Sequence, residues 1–198
     1  MRLIIAVAAV LAATPAFAQQ PTPCDLLAGH VEDPDRVGPG AAKVADNKAA
    51  IAACEKDLAA DPNNRRLKYQ LARVLFYDGQ TPKAMSYLQA AADGGSQQAQ
   101  FVLGYITDEA QQGVTRDVCK VEDLWVKSAR QGRFAAQVSY ARHVMDGKFA
   151  SCKVQAGDDE IAGFLDKATK GARPFGYYAE ILSAQLTKDF AAYRAAKK

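Results

Sequence analysis

The chain has 198 residues, 49% of them hydrophobic and 24% charged, with 25 Lys and Arg against 22 Asp and Glu for a formal net charge of +3. So even a balance gives no electrostatic reason to expect nucleic acid or another polyanion as partner. The length suits one domain of ordinary size, and a second is not required.

Residues 1–18 carry one charge at Arg2, an unbroken apolar run, and the small-residue close Ala16-Phe17-Ala18 before the polar Gln19-Gln20. This is the pattern of a secretory signal peptide cleaved after Ala18. An uncleaved anchor fits less well, because residues 3–18 fall short of the roughly 20 apolar residues that span a bilayer. A lipid-anchored exit is disfavoured because Cys24 follows Pro21-Thr22-Pro23 rather than an apolar run and small residues. The expected product is exported to the periplasm, with no stable membrane insertion after cleavage. An oxidising compartment makes disulfides the default for its four cysteines, Cys24, Cys54, Cys119 and Cys152. Of the three possible pairings, proximity in sequence favours Cys24 with Cys54 and Cys119 with Cys152. Each bond would close a loop of about 30 residues, worth about 3 to 4 kcal/mol on the chain-entropy model. There is no C-x-x-C, and His30 and His143 lack suitably spaced cysteine partners, so no metal site is expected.

Residues 19–45 are rich in Pro, Gly and Asp, with Asp33-Pro34-Asp35 and Gly38-Pro39-Gly40 breaking any regular pattern. They read as an extended, turn-rich arm, capping the first helices and held by the Cys24–Cys54 bond. Helical periodicity starts at 46–60, where Ile51, Cys54 and Leu58 recur at spacings of three and four before Asp61-Pro62. A second helix begins at Asn63 or Asn64 and stacks Leu67, Leu71 and Leu75; a third starts with Thr81 as cap and Pro82 as first helical residue, and closes at Gly94-Gly95. The basic cluster Arg65-Arg66-Lys68 reads as a solvated helix face.

This helix pair recurs. Leu88, Ala92 and Gly95 are matched 37 residues on by Trp125, Ala129 and Gly132, and a further 39 residues on by Phe164, Ala168 and Gly171. Ala99 and Leu103 are matched at the 37-residue offset by Ala136 and Tyr140. A period between 30 and 50 with small residues at fixed places marks a helical solenoid, because small side chains let neighbouring helices approach closely.

The segment Ala84-Met85-Ser86-Tyr87-Leu88 followed by Ala91-Ala92-Asp93-Gly94-Gly95, and the unit opening Ala99-x-Phe101-x-Leu103-Gly104, resemble Sel1-like repeats, relatives of the tetratricopeptide repeats with a longer inserted loop. The resemblance covers about residues 63–186. It implies an all-α solenoid of antiparallel helix pairs in a right-handed superhelix with an irregular N-terminal arm. The repeat domain would occupy 46–198, with units near 63–95, 96–132, 133–171 and 172–198. The third unit departs from the pattern, having Ala141 where the family prefers glycine and Gly163 at the usual aromatic. The last is degenerate, with Tyr177, Tyr178, Ile181 and Leu182 still apolar and a tail at 189–198 resembling a terminal capping helix. In this frame Cys119 and Cys152 both fall in the loop joining the two helices of their unit, so their bond would link neighbouring units.

No nucleophile stands in a recognisable relation to a base, and no phosphate-binding loop is present, so neither an enzymatic activity nor a cofactor is expected. His30 lies in the arm and His143 on a repeat helix, where packed or half-exposed side chains are the ordinary outcome. Asp158-Asp159-Glu160 is explained by the positive end of a helix dipole rather than by a metal. The stripe Tyr87, Leu88, Trp125 and Phe164 falls at packing positions. What a solenoid offers is a curved face of successive first helices. Translating one exposed position along it gives Arg73, Tyr105 and Arg142, a column able to pair carboxylates or stack on rings. The expected function is a non-enzymatic periplasmic scaffold that binds a protein or peptide; the alternative is a cell-wall or peptide-acting enzyme or a cell-wall-binding protein.

Overall fold

A computed structural model describes residues 20–197, so the expected signal peptide lies outside the described residues. Nine α-helices follow one another among the described residues. They are α1 (Pro23–Ala28), α2 (Asn47–Ala60), α3 (Arg65–Tyr77), α4 (Thr81–Asp93), α5 (Gln97–Asp108), α6 (Val118–Arg130), α7 (Phe134–Met145), α8 (Asp158–Lys170) and α9 (Tyr177–Ala196). Short 3-10 turns at Gln111–Gly113 and Arg173–Phe175 join some of them.

The helix starts are set by local chemistry. The side chains of Asp46, Asn64, Ser96 and Asp117 each accept from a backbone N–H of the first turn they precede, satisfying donors a helix cannot satisfy for itself. Thr81 is an exception to expectation: the cap of α4 is Gln80, with no side-chain bond, and Thr81 already lies inside the helix. Gly95 and Gly132 end α4 and α6 at φ +83° and +94°, a left-handed geometry in which a side chain would be strained.

Each helix packs on the next, α2 on α3 through α8 on α9, which is the nearest-neighbour architecture of a solenoid. The core divides accordingly into three clusters. One joins the arm, α2 and α3; a second joins α3, α4 and α5; the third spans α6 to α9 around Trp125, Tyr140, Phe149 and Phe164. The repeat register shows in how small and large residues face each other within a unit. Trp125 of α6 lies so close to Gly104 of α5 that a Cβ on Gly104 would fall 2.3 Å from the indole Nε1. That nitrogen donates to the carbonyl of Phe101 at 3.0 Å. The equivalent pairs are Ala72 with Leu88 and Ala141 with Phe164, each buried in one cluster. Position 141 is alanine where the large residue of the pair is the smaller phenylalanine.

Sulfur bonds join Cys24 to Cys54 and Cys119 to Cys152. Cys119, expected in a loop, is the second residue of α6, because Asp117 caps the helix two residues ahead of it. The arm, expected to be extended, opens with α1, nucleated by a reciprocal cap between Thr22 and Asp25 and by Pro23 in the first turn. At the other end the described residues form no separate capping helix. Residues 189–196 continue α9 without a break, and Leu186 and Phe190 bury its inner side. Tyr177, Tyr178, Ile181 and Leu182 lie exposed on the opposite side of α9.

Candidate functional site

The arm does more than cap the first helices: it lies along α3 and reaches the start of α7. At α3, the buried Asp25 carboxylate pairs with Arg66 at 2.9 Å and accepts from the Gln70 amide at 2.9 Å. Asp35 pairs with Arg65 at 2.7 Å. The cluster read as a solvated face is therefore half an ion-pair seam, with Arg66 almost fully buried. At the start of α7, buried Arg133 donates to Glu32 at 2.6 Å while its guanidinium lies over the Phe101 ring of α5, 5.5 Å from the centroid. Asp33, the next residue of the arm, is wholly buried, and burial raises its carboxyl to about 6.

Arg73 is the centre of the attachment. Its two terminal nitrogens donate to the carbonyls of Ala28, Gly29, Ala41 and Ala42 at 2.8 to 3.0 Å. These belong to the two limbs of the arm, which also pair with each other through the Ala41 N–H and the Gly29 carbonyl at 2.7 Å. An irregular segment has carbonyls with no helical or strand partner, and Arg73 supplies the donors. Arg73 is thus 6% exposed and not the free surface residue that translation along the repeat implied. The repeat holds for the helices, but the arm buries this repeat position only in the first unit.

Between α3, α4 and α5 lies a cavity of about 200 Å³. Its walls are apolar, from Ala72, Phe76, Leu88, Val102 and Ile106, and His30 of the arm closes one side. Burial and the nearby Arg73 charge hold the His30 imidazole below its usual range. Tyr77 and Tyr105, half-exposed, form the rim. The Arg73 guanidinium lies 5.4 Å from the Tyr77 ring centroid, and Tyr105 stacks on Phe101. Two members of the expected column, Arg73 and Tyr105, thus meet at one pocket. The third does not line it: Arg142 is exposed on α7, 3.6 Å from Asp146.

The other chemically suggestive residues are accounted for by their neighbours. His143 is buried, with Nε2 2.8 Å from Asp108 Oδ2, and Arg116 holds the other oxygen of Asp108 at 2.9 Å. Its ring meets Trp125 edge-on and packs beside Phe149. Burial lowers its pKa, against the opposing pull of Asp108. Desolvation alone would raise the Asp108 carboxyl, but the bonds from His143 and Arg116 outweigh it and hold the group low. Apart from Asp108, the one hydrogen-bonding contact of His143 among the described residues is Lys148 at 3.5 Å; no hydroxyl is poised as a nucleophile. Asp158, Asp159 and Glu160 open α8 and pair with Lys197, Arg194 and Arg130 respectively. No group of three His, Cys, Asp or Glu side chains among the described residues is placed to hold a metal ion, and no helix among them is long and apolar enough to cross a membrane.

The pocket and the arm escaped the sequence reading for different reasons. The pocket is lined by side chains of three helices and the arm, which no spacing within one helix encodes. The arm left a signal in its many unpaired carbonyls, which obliged some buried donor to lie nearby.

No protein-family model and no curated protein matches the chain. Among the solved structures that resemble it are two repeat proteins. A Sel1 repeat protein from Oxalobacter formigenes is 19% identical, with a TM-score of 0.52 over 68% of this chain and 97% of that one. A protective antigen present in uropathogenic Escherichia coli strains, displaying an SLR fold, is 20% identical, with a TM-score of 0.54 over 88% of this chain and 38% of the antigen. This chain therefore spans little more than a third of the antigen's length. Hairpins stacked in order, small residues opposite large ones and these two likenesses together establish the fold as that of the Sel1 repeat proteins: an α-solenoid of antiparallel helix pairs.

Proposed function

We propose that the protein is an exported, periplasmic, non-enzymatic scaffold that binds a protein or peptide segment on the face formed by α3, α5 and α7. The observation that carries this reading is the arm. An irregular stretch of polypeptide lies across that face, its main-chain carbonyls taken up by Arg73 and its acidic side chains by Arg65, Arg66 and Arg133. The surface chemistry that holds this segment in cis is the chemistry needed to hold another in trans. Beyond the arm the same helices leave Tyr77, Tyr105 and Arg142 exposed. The signal-like leader and two disulfides support export. The Asp108–His143 pair gives the enzyme alternative little support, because it is enclosed by Trp125 and Phe149.

The test is site-specific photocrosslinking in periplasm-competent cells. A photoreactive residue at position 105 or 142 is expected to trap a discrete partner that the same residue at Lys170, exposed on α8, does not. Equal capture at all three positions, or none at 105 and 142, would overturn the assignment of this face.

A further inference from the structure

The two sulfur bonds lie in opposite surroundings. Cys24 and Cys54 are wholly buried in the cluster that joins the arm, α2 and α3, and the Cys24 N–H donates to the Asp57 carboxylate at 2.8 Å. A dissolved reagent reaches that bond only after α1 comes away from α2. Cys119 is exposed at the start of α6, and Cys152 is half-buried on the loop between α7 and α8. Lys120 and Lys153 follow these two cysteines directly and are exposed, so two cations against the one carboxylate of Asp117 favour an incoming thiolate. Exchange needs a thiolate to reach a sulfur, which makes the accessible bond the labile one.

The loop that carries Cys152 is also held by other means on either side of it. Ahead of it, Phe149 is buried in the third cluster. Behind it, the Gln155 N–H and side-chain amide donate to the two oxygens of buried Glu122 at 2.7 and 3.0 Å, and the Ala156 N–H donates to the Tyr140 hydroxyl at 3.3 Å. Between these anchors Ala150, Ser151, Lys153 and Val154 are exposed. Opening the bond therefore frees a short stretch and leaves the helices packed. We propose that Cys119–Cys152 is a thiol–disulfide exchange site: a partner bearing a dithiol opens this clip between α6 and the loop ahead of α8, and a disulfide donor closes it, while Cys24–Cys54 stays shut. In the opening step a thiolate of the dithiol bonds to Cys119 Sγ as the Cys119–Cys152 bond breaks. Cys152 leaves as a thiolate and takes a proton from water, with the Ser151 hydroxyl 3.8 Å away placed to donate to its sulfur. The partner's second thiol then loses its proton and bonds to the partner sulfur of the mixed disulfide, and Cys119 leaves and is protonated. Two electrons pass to the protein, and the dithiol ends as a disulfide.

The probe is dithiothreitol, added to the full oxidised protein, with samples blocked by iodoacetamide over time and the alkylated cysteines located by peptide mass. Alkylation of Cys119 and Cys152 is expected to outrun that of Cys24 and Cys54 by about a hundredfold or more, the factor that local opening of α1 imposes. The species with this one bond open should keep the helical circular dichroism of the oxidised protein. Its hydrogen exchange should quicken at the N–H groups of Cys152 and Val154 and stay slow at those of Gln155 and Ala156. Oxidised glutathione should then restore the Cys119–Cys152 pair. A brief exposure of the oxidised protein to reduced glutathione, stopped with acid, should leave the tripeptide on Cys119; capture on Cys152 instead would overturn the assigned direction of attack. Equal rates for the two pairs, earlier opening of Cys24–Cys54, or loss of the helical signal together with the Cys119–Cys152 bond would overturn the site itself. The double variant Cys119→Ser, Cys152→Ser should fold and show the same exchange pattern, and its failure to fold would refute the claim that the other anchors hold the loop.

Discussion

The indole nitrogen of Trp125 occupies the space into which a β-carbon on Gly104 would project, 2.3 Å from where that carbon would stand. Gly104→Ala should therefore push the indole off the Phe101 carbonyl and destabilise the protein by about 1–3 kcal/mol. The pairing at Ala141 and Phe164 points to the remedy. Trp125→Phe should offset part of the loss in the double variant, so that denaturation of the four species gives a coupling in which the pair costs less than its separate changes added.

Arg73→Ala removes the donors to four carbonyls at once. We expect a loss of roughly 2–4 kcal/mol, seen as a melting temperature lower by roughly 5–15 °C. Arg73→Lys should recover only part, because one ammonium cannot reach both limbs of the arm. A variant melting like the wild type would show that the arm is held elsewhere.

Glu32 is half-exposed while Arg133 is buried, so their pair tethers the far turn of the arm more than it supports the core. Glu32→Gln should speed hydrogen exchange about fivefold at the N–H groups of Asp33, Arg36 and Ala41, whose bonds shape that turn. Exchange in α6 should stay as it is.

Burial raises the Asp33 carboxyl from 3.8 to about 6, so the docked arm holds a proton that the released arm gives up. The stabilisation this supplies is complete below about pH 4 and is lost as pH rises through about 6, up to about 3 kcal/mol in all. His30 and His143, held low by burial, change in the opposite sense, so the measurement is the difference between the wild type and Asp33→Asn. Denaturant titrations should find the wild type gaining on the variant from pH 7 to pH 4.5. A difference independent of pH would refute the buried proton.

The helices from α2 to α8 could be read in the sequence because their signals are local. Apolar spacing, an oxygen-bearing residue ahead of each of several first turns and glycine after α4 and α6 act within a few residues. The solenoid followed from the recurrence of Leu88, Trp125 and Phe164, since stacking copies of one unit needs only one kind of interface. The surface was less legible. Arg73 occupies the same repeat position as Tyr105, yet it is buried because a segment outside the repeat lies on it. Arg66 stands in a basic cluster, yet it meets Asp25 from forty-one positions earlier. Tyr177 and Tyr178 have the character of core residues, yet both are exposed at the start of α9, the last described helix. Position in the array, rather than residue type, decides such cases.

Glu32 and Arg133 are 101 positions apart, in a molecule packed mainly between consecutive helices. A row of hairpins can form piece by piece, each closing a short loop on its predecessor. The arm cannot, because its outermost contact requires the entrance to α7 to exist. The contact of Glu32 is therefore complete only where α3 and the entrance to α7 stand in register, so it couples the first unit to the third.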